Sequence, residues 1–118
     1  MIRSEICDML KIRYPVFQGG MAWIADGALA AAVSNGGGLG IIAAGNAPAD
    51  HVREQVRAAR AMTEKPIGVN IMLLSPFADE VAEVAAEERV EVVTTGAGNP
   101  SRYMKMWQEA GIKVIPVV

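Results

Sequence analysis

Cysteine and histidine are almost missing from this chain of 118 residues, which has one of each. The lone Cys7 rules out an intramolecular disulfide and fits a reducing cytoplasm. Its expected place on the first helix favours an inert buried thiol over a nucleophile. One Cys and one His leave no ligand cluster with zinc spacing, so no metal site is expected. Excess charge is missing too: 11 Lys and Arg against 13 Asp and Glu give a net charge of −2, with no basic stripe. Nucleic acid is thereby excluded as an expected partner. No apolar run approaches the roughly 18 residues that cross a bilayer, and no charged-then-apolar signal opens the chain. The expectation is a cytoplasmic protein without membrane association. Its length suffices for one small domain with its own core, and not for two.

What is present is a regular alternation. Ser4 is placed to cap a short helix carrying Ile6, Met9 and Leu10 on one side. A strand, Pro15 to Phe17, follows and breaks at Gly19-Gly20. Asp26 caps a helix through Leu29, Ala30 and Val33, which stops at Gly36, Gly37 and Gly38, where left-handed backbone is needed. The next strand is Leu39 to Ala43. Asp50 caps a helix whose Val52, Val56 and Ala59 face inward, leaving Arg53, Arg57 and Arg60 to face water. Strand Ile67 to Leu73 runs into Ser75-Pro76, a cap with proline in the first turn. Asp79 and Glu80 suit the start of that helix, and Val81, Val84 and Ala85 form its apolar side. Strand Val90 to Thr94 leads through Gly96-Ala-Gly-Asn-Pro100 into a helix from Ser101 to Ala110. Gly111 stops that helix, and Lys113 to Val118 is a fifth strand.

Val- and Ile-rich strands alternating with single helices predict a parallel α/β sheet, either a (β/α) barrel or a doubly wound sheet. In both, ligands gather at the carboxyl ends of the strands: Gln18 to Trp23, Ala44 to Asn46, Asn70 to Ser75 and Thr94 to Asn99. The last strand, with no helix to close it, marks residues 1–118 as the front part of something longer.

Each candidate site has a plain alternative. Gly38-Leu-Gly-Ile-Ile-Ala43 matches a dinucleotide fingerprint by letter, but its glycines leave a helix and enter a strand, so they act as a helix stop. Gly96-Ala-Gly-Asn-Pro-Ser101 has the right strand-to-helix order and is either a phosphate loop or an ordinary turn. The two glycines Gly19 and Gly20 allow a flat ligand to lie against backbone; alternatively they form a tight loop with Met21 and Trp23 packed as core. Asn70 sits among aliphatic residues, and a buried amide without a partner costs about 1–3 kcal/mol. Its partner is a cofactor or a neighbouring loop. His51, in the first turn of a helix beside Asp50, suits a solvated surface position better than a general base. Glu80, Glu83, Glu87 and Glu88 form an exposed face with no acid–base pairing.

Taken together, Tyr14-Pro-Val-Phe-Gln-Gly-Gly-Met-Ala-Trp23, Ala32-Val-Ser-Asn-Gly-Gly-Gly-Leu-Gly-Ile-Ile42, Gly45-Asn-Ala-Pro48, Pro66-Ile-Gly-Val-Asn-Ile-Met-Leu-Leu-Ser-Pro76 and Val93-Thr-Thr-Gly-Ala-Gly-Asn-Pro100 resemble the flavin-dependent enoyl-acyl-carrier-protein reductases of type II. These belong to the nitronate monooxygenase (2-nitropropane dioxygenase) superfamily. The resemblance implies an FMN-binding TIM (β/α)8 barrel, of which this chain is about four βα units plus the fifth strand. It implies that Gly20, Met21 and Ala22 pass along the isoalloxazine ring by backbone contact. Asn70 then bonds the ring's polar edge, with Thr95 and Gly96 near the same ligand. It further implies hydride transfer from NADH or NADPH through FMN to a trans-2-enoyl thioester on acyl carrier protein in fatty-acid synthesis, and a homodimer when intact.

The family's catalytic histidine, in a Gly-Gly-His segment, has no counterpart here; His51 does not correspond to it, and the catalytic group is expected beyond residue 118. The late phosphate-binding loops of the barrel are absent likewise. The alternatives are a nitronate monooxygenase, which oxidises alkyl nitronates with oxygen, and a non-catalytic half-barrel.

Overall fold

A computed structural model describes residues 4–117. Ser4 leads into α1 (Glu5–Leu10), but its hydroxyl lies 3.9 Å from the Cys7 sulfur and caps no backbone N–H. The six residues of α1 bury Cys7 and Leu10. Met9, expected on the same side, is 58% exposed, because it follows Cys7 by only two positions and points away. The Asp26 carboxylate accepts the Leu29 N–H at 2.9 Å and starts α2 (Gly27–Asn35).

Then follow β1 (Gly40–Ala43), α3 (Ala49–Met62), β2 (Ile67–Met72), α4 (Ala78–Glu87), β3 (Val92–Gly96), α5 (Ser101–Glu109) and β4 (Lys113–Pro116). Val118, expected in the last strand, lies outside the described residues.

Three helices end in the same way. The residue after the cap turns left-handed, and two successive N–H groups return to carbonyls of the last turn. In α2 the turning residue is Gly37 (φ +105°), with Gly37 and Gly38 bonding Ser34 and Val33. In α5 it is Gly111 (φ +78°), with Gly111 and Ile112 bonding Gln108 and Trp107. In α4 it is Arg89 (φ +50°), with Arg89 and Val90 bonding Ala86 and Ala85. Val90 is thus committed to closing a helix, which is why β3 starts two residues later than expected. Of the glycine triplet only Gly37 is left-handed; Gly36 is right-handed at φ −74°.

The helix starts need two corrections. Pro48, not Asp50, is the residue ahead of α3, and Asp50 lies inside its first turn. The Ser75 hydroxyl accepts the Phe77 N–H at 3.1 Å in a preceding turn, so α4 begins at Ala78 rather than beside Pro76.

The sheet is parallel with strand order β1-β2-β3-β4. A doubly wound sheet would reverse this order at a switch point; strictly sequential order sends every crossover helix to one face. Ile42, Val69, Ile71 and Val93 face α3, α4 and α5, with Val52, Val56, Val81, Ala85 and Trp107 completing that core. Trp107 is fully buried and donates its Nε1–H to the Ala82 carbonyl at 3.1 Å. On the opposite face Leu39, Ile41 and Val92 pack against Cys7, Leu10 and Ile12 of α1 and its exit.

The arginines of α3 do not simply face water. Arg53 pairs with Glu87 and Glu88, Arg57 with Glu88, and Arg60 with Glu91, tying α3 to α4 and its exit. This also removes Glu87 and Glu88 from the freely solvated face expected of α4.

The expected first strand, Pro15 to Phe17, is reduced to one parallel bridge between Phe17 and Leu39. Around it Leu39 donates to the Val16 carbonyl at 2.8 Å and Gln18 to the Leu39 carbonyl at 3.0 Å. No helix among the described residues is long and apolar enough to cross a membrane.

Candidate functional site at the strand ends

Side chains alternate between the two faces of a strand. In β2 and β3, Val69, Ile71 and Val93 face the helices, so Asn70 and Thr94 face the other way, toward the side that α1 covers only at its lower end. Asn70 and Thr94 are register partners, and the Thr94 hydroxyl donates to Asn70 Oδ1 at 2.7 Å. The Asn70 carbonyl accepts the Ala44 N–H at 3.0 Å. Asn70 is half-buried, and its Nδ2 has no hydrogen-bond partner among the described residues.

Gly20 lies directly against this amide. A Cβ at Gly20 would stand 3.0 Å from Asn70 Cβ and 3.1 Å from its Nδ2. Ala22 lies against Gly45, where an added Cβ would come within 3.2 Å of the alanine methyl. Residues 19–24 therefore form an excursion over the ends of β1 and β2. The reading of Met21 and Trp23 as packed core fails, since they are 43% and 68% exposed. Trp23 holds the left-handed backbone at φ +64°, uncommon for a bulky residue, and its ring lies 5.2 Å from that of His51. That aromatic contact, on the first turn of α3, is the role the structure gives His51.

Gly20, Met21, Ala22 and Asn70 are thus brought together. Gly96 ends β3 beside them, with open space where a Cβ would stand, and its carbonyl accepts the Leu73 N–H at 3.0 Å. Thr95 is different. Its side chain shares the helix-facing side with Val93, fully buried, and its hydroxyl has no partner. Only its backbone reaches the site. The loop beyond Gly96 runs through positive φ at Ala97 (+57°) and Gly98 (+155°), and Asn99 Oδ1 accepts the Ser101 N–H at 2.9 Å.

Thr94 and Gln18 fall within the expected strand ends, but the parts they play there were not foreseen. Thr94 is paired with Asn70 through strand register, which depends on where β3 begins. The Gln18 side chain bonds the backbone of β1: its Nε2 donates to the Ile41 carbonyl at 3.0 Å and the Gly19 carbonyl at 2.6 Å, while Oε1 accepts the Ile41 N–H at 3.2 Å.

Fold and site geometry define a class: a singly wound parallel sheet of barrel type, with a loop folded over the carboxyl ends of its strands, where barrels of this kind carry their sites. The chain belongs to the nitronate monooxygenase family, whose model matches residues 3–118. The structure of FabK from Thermotoga maritima superposes on all of this chain with a TM-score of 0.97 and 50% sequence identity, covering 38% of that protein. The chain accordingly has the fold of the first part of a TIM barrel. It is 32% identical over 117 residues to (3aS,4S,5R,7aS)-5-hydroxy-7a-methyl-1-oxo-octahydro-1H-indene-4-carboxyl-CoA dehydrogenase of Mycobacterium tuberculosis H37Rv, spanning 99% of this chain and 33% of that one. It is 40% identical over 80 residues to a nitronate monooxygenase of Paraburkholderia phytofirmans, 68% of this chain and 22% of that one. The chain spans a third or less of the length of these curated relatives.

Proposed function

We propose that this chain is the N-terminal part of a flavin-dependent enoyl-thioester reductase, and that its strand ends hold the FMN ring. The observation that carries the reading is the cradle itself. The absence of a side chain at Gly20 lets the backbone close directly onto Asn70, and the Asn70 Nδ2 is left to donate to an acceptor on a flat ligand. Backbone from Gly20 to Ala22 would run along the ring, and Gly96 and the backbone of Thr95 would border it. The chemistry that FMN supplies when bound is hydride transfer, from NADH or NADPH to the β-carbon of a trans-2-enoyl acyl-carrier-protein thioester in fatty-acid synthesis. The work of these residues is to bind and orient. The acid–base group lies outside this chain, and the intact enzyme is a homodimer in this reading.

Support for a reductase comes from the 50% identity to FabK across the whole chain. The second reading, oxidation of alkyl nitronates with oxygen, rests on the 40% identity to a nitronate monooxygenase over a shorter stretch.

The test is the visible spectrum of the purified chain after incubation with FMN and desalting. Retained flavin that Asn70→Ala removes supports the cradle; a colourless wild-type protein overturns binding by this chain. NADH- or NADPH-dependent reduction of an enoyl thioester by the intact protein, against nitronate-dependent oxygen uptake, separates the two chemistries.

A further inference from the structure

Along the outer edge of β1, three successive outward positions need hydrogen-bond partners. Leu39 finds them in the backbone of Val16 and Gln18. Ala43 donates to the Ala25 carbonyl at 2.9 Å. Between them, at Ile41, no strand is present. The Gln18 carboxamide stands in for one, accepting the Ile41 N–H and donating to the Ile41 carbonyl, as a neighbouring peptide would. Its second amide proton is spent on the Gly19 carbonyl, so both N–H groups and the oxygen are occupied.

A side chain filling one rung has a consequence for the backbone. In a continuous ladder, residues just after Gln18 would have to pair with Ile41 and would lie in the plane of the sheet. Because the carboxamide takes that place, residues 19–24 are released from the edge. They arch over the strand ends, Gly20 onto Asn70 and Ala22 onto Gly45, and return at Ala25. The bond to the Gly19 carbonyl fixes the direction in which the arch departs.

We infer that Gln18 is the positioning residue of the flavin cradle, setting the 19–24 arch against Asn70 without touching the ligand itself. The inference rests on the flavin reading above only for the nature of the ligand; the placement of the arch stands on the hydrogen bonds alone.

Gln18→Met keeps the side-chain length and removes all three bonds. The control is Ser34→Ala, which cuts a comparable clip at the opposite end of the sheet, where the Ser34 hydroxyl joins Gly40 N–H to the Pro66 carbonyl. Each protein is titrated with FMN, and its thermal midpoint and ligand-free tryptophan emission are recorded. Trp107 is buried in both variants, so a change in emission reports Trp23 and its contact with His51. Gln18→Met is expected to weaken FMN binding by about ten-fold or more and to alter Trp23 emission. Ser34→Ala is expected to lower the midpoint while leaving both unchanged. Should Gln18→Met fold poorly, Gln18→Glu keeps the acceptor for Ile41 and loses both donors, and must bind FMN more weakly than both wild type and the Ser34→Ala control. Equal weakening by both variants, or unchanged affinity and emission in Gln18→Met, overturns the inference. A wild-type chain that binds no FMN refutes the flavin reading instead, and Trp23 emission then decides the positioning claim by itself.

Discussion

Thr94 and Asn70 face each other across β2 and β3, and the threonine hydroxyl fixes which end of the asparagine amide is left over. With Oδ1 engaged at 2.7 Å, Nδ2 is the free end. Thr94→Val removes the donor and lets the amide rotate. We expect it to weaken FMN retention by about ten-fold while changing stability by about 1 kcal/mol. Flavin titration beside thermal unfolding measures both, and unchanged affinity would mean that the amide is oriented by something else.

One position along the same strand the expectation reverses. The Thr95 hydroxyl is buried on the helix side without a partner, a loss of about 1–3 kcal/mol relative to water. Thr95→Val should raise stability by about 1 kcal/mol and leave flavin binding alone. A loss of bound flavin in this variant would show that its hydroxyl, and not only its backbone, serves the ligand.

Arg89 occupies at the end of α4 the left-handed position that Gly37 and Gly111 occupy in α2 and α5. A side chain there costs about 1–2 kcal/mol, of which the looser unfolded chain of a glycine variant returns part. Arg89→Gly should therefore stabilise the protein by about 0.5–1 kcal/mol. The bond from Arg60 to the Arg89 carbonyl is to backbone and survives the change. Denaturant unfolding decides; a destabilised variant would assign the arginine side chain a role beyond the turn.

Tyr103, on α5 and reaching Asp79 of α4, has its pKa raised, first by burial and then by its hydrogen bond to Asp79. The folded state thus holds the phenolic proton after the unfolded chain releases it. The stability this contributes is fully present below about pH 10, the unfolded value, and is lost as pH climbs through the raised folded value. Tyr103→Phe should flatten the fall of the thermal midpoint in that alkaline window. An unchanged slope would assign the alkaline loss to other groups.

Much of the fold is visible in residue pattern because burial repeats on a local period. Val52, Val56 and Ala59 mark one side of α3, Asp26 marks the start of α2, and Gly111 marks the end of α5. Where two local signals compete, the boundary shifts: Val90 continues an apolar strand pattern but is used by the end of α4. Asn70 and Gly20 are legible as a polar residue in an apolar strand and a glycine after one. Gln18 is not, because it pairs with a backbone 23 positions away and leaves no period behind. The ties from α3 to Glu87, Glu88 and Glu91 are hidden for the same reason.

The two borders of the sheet are unequal. Leu39 and Ile41 have both outward hydrogen-bonding groups occupied and Ala43 has its N–H engaged, so a further strand finds no free run of partners beside β1. Beyond β4 no strand stands among the described residues, and Pro116 there has no N–H to offer. Head-to-tail growth needs both borders open, whereas a two-fold arrangement needs only one. With the β1 border closed, one copy of this sheet cannot be extended head to tail by the sheet of another.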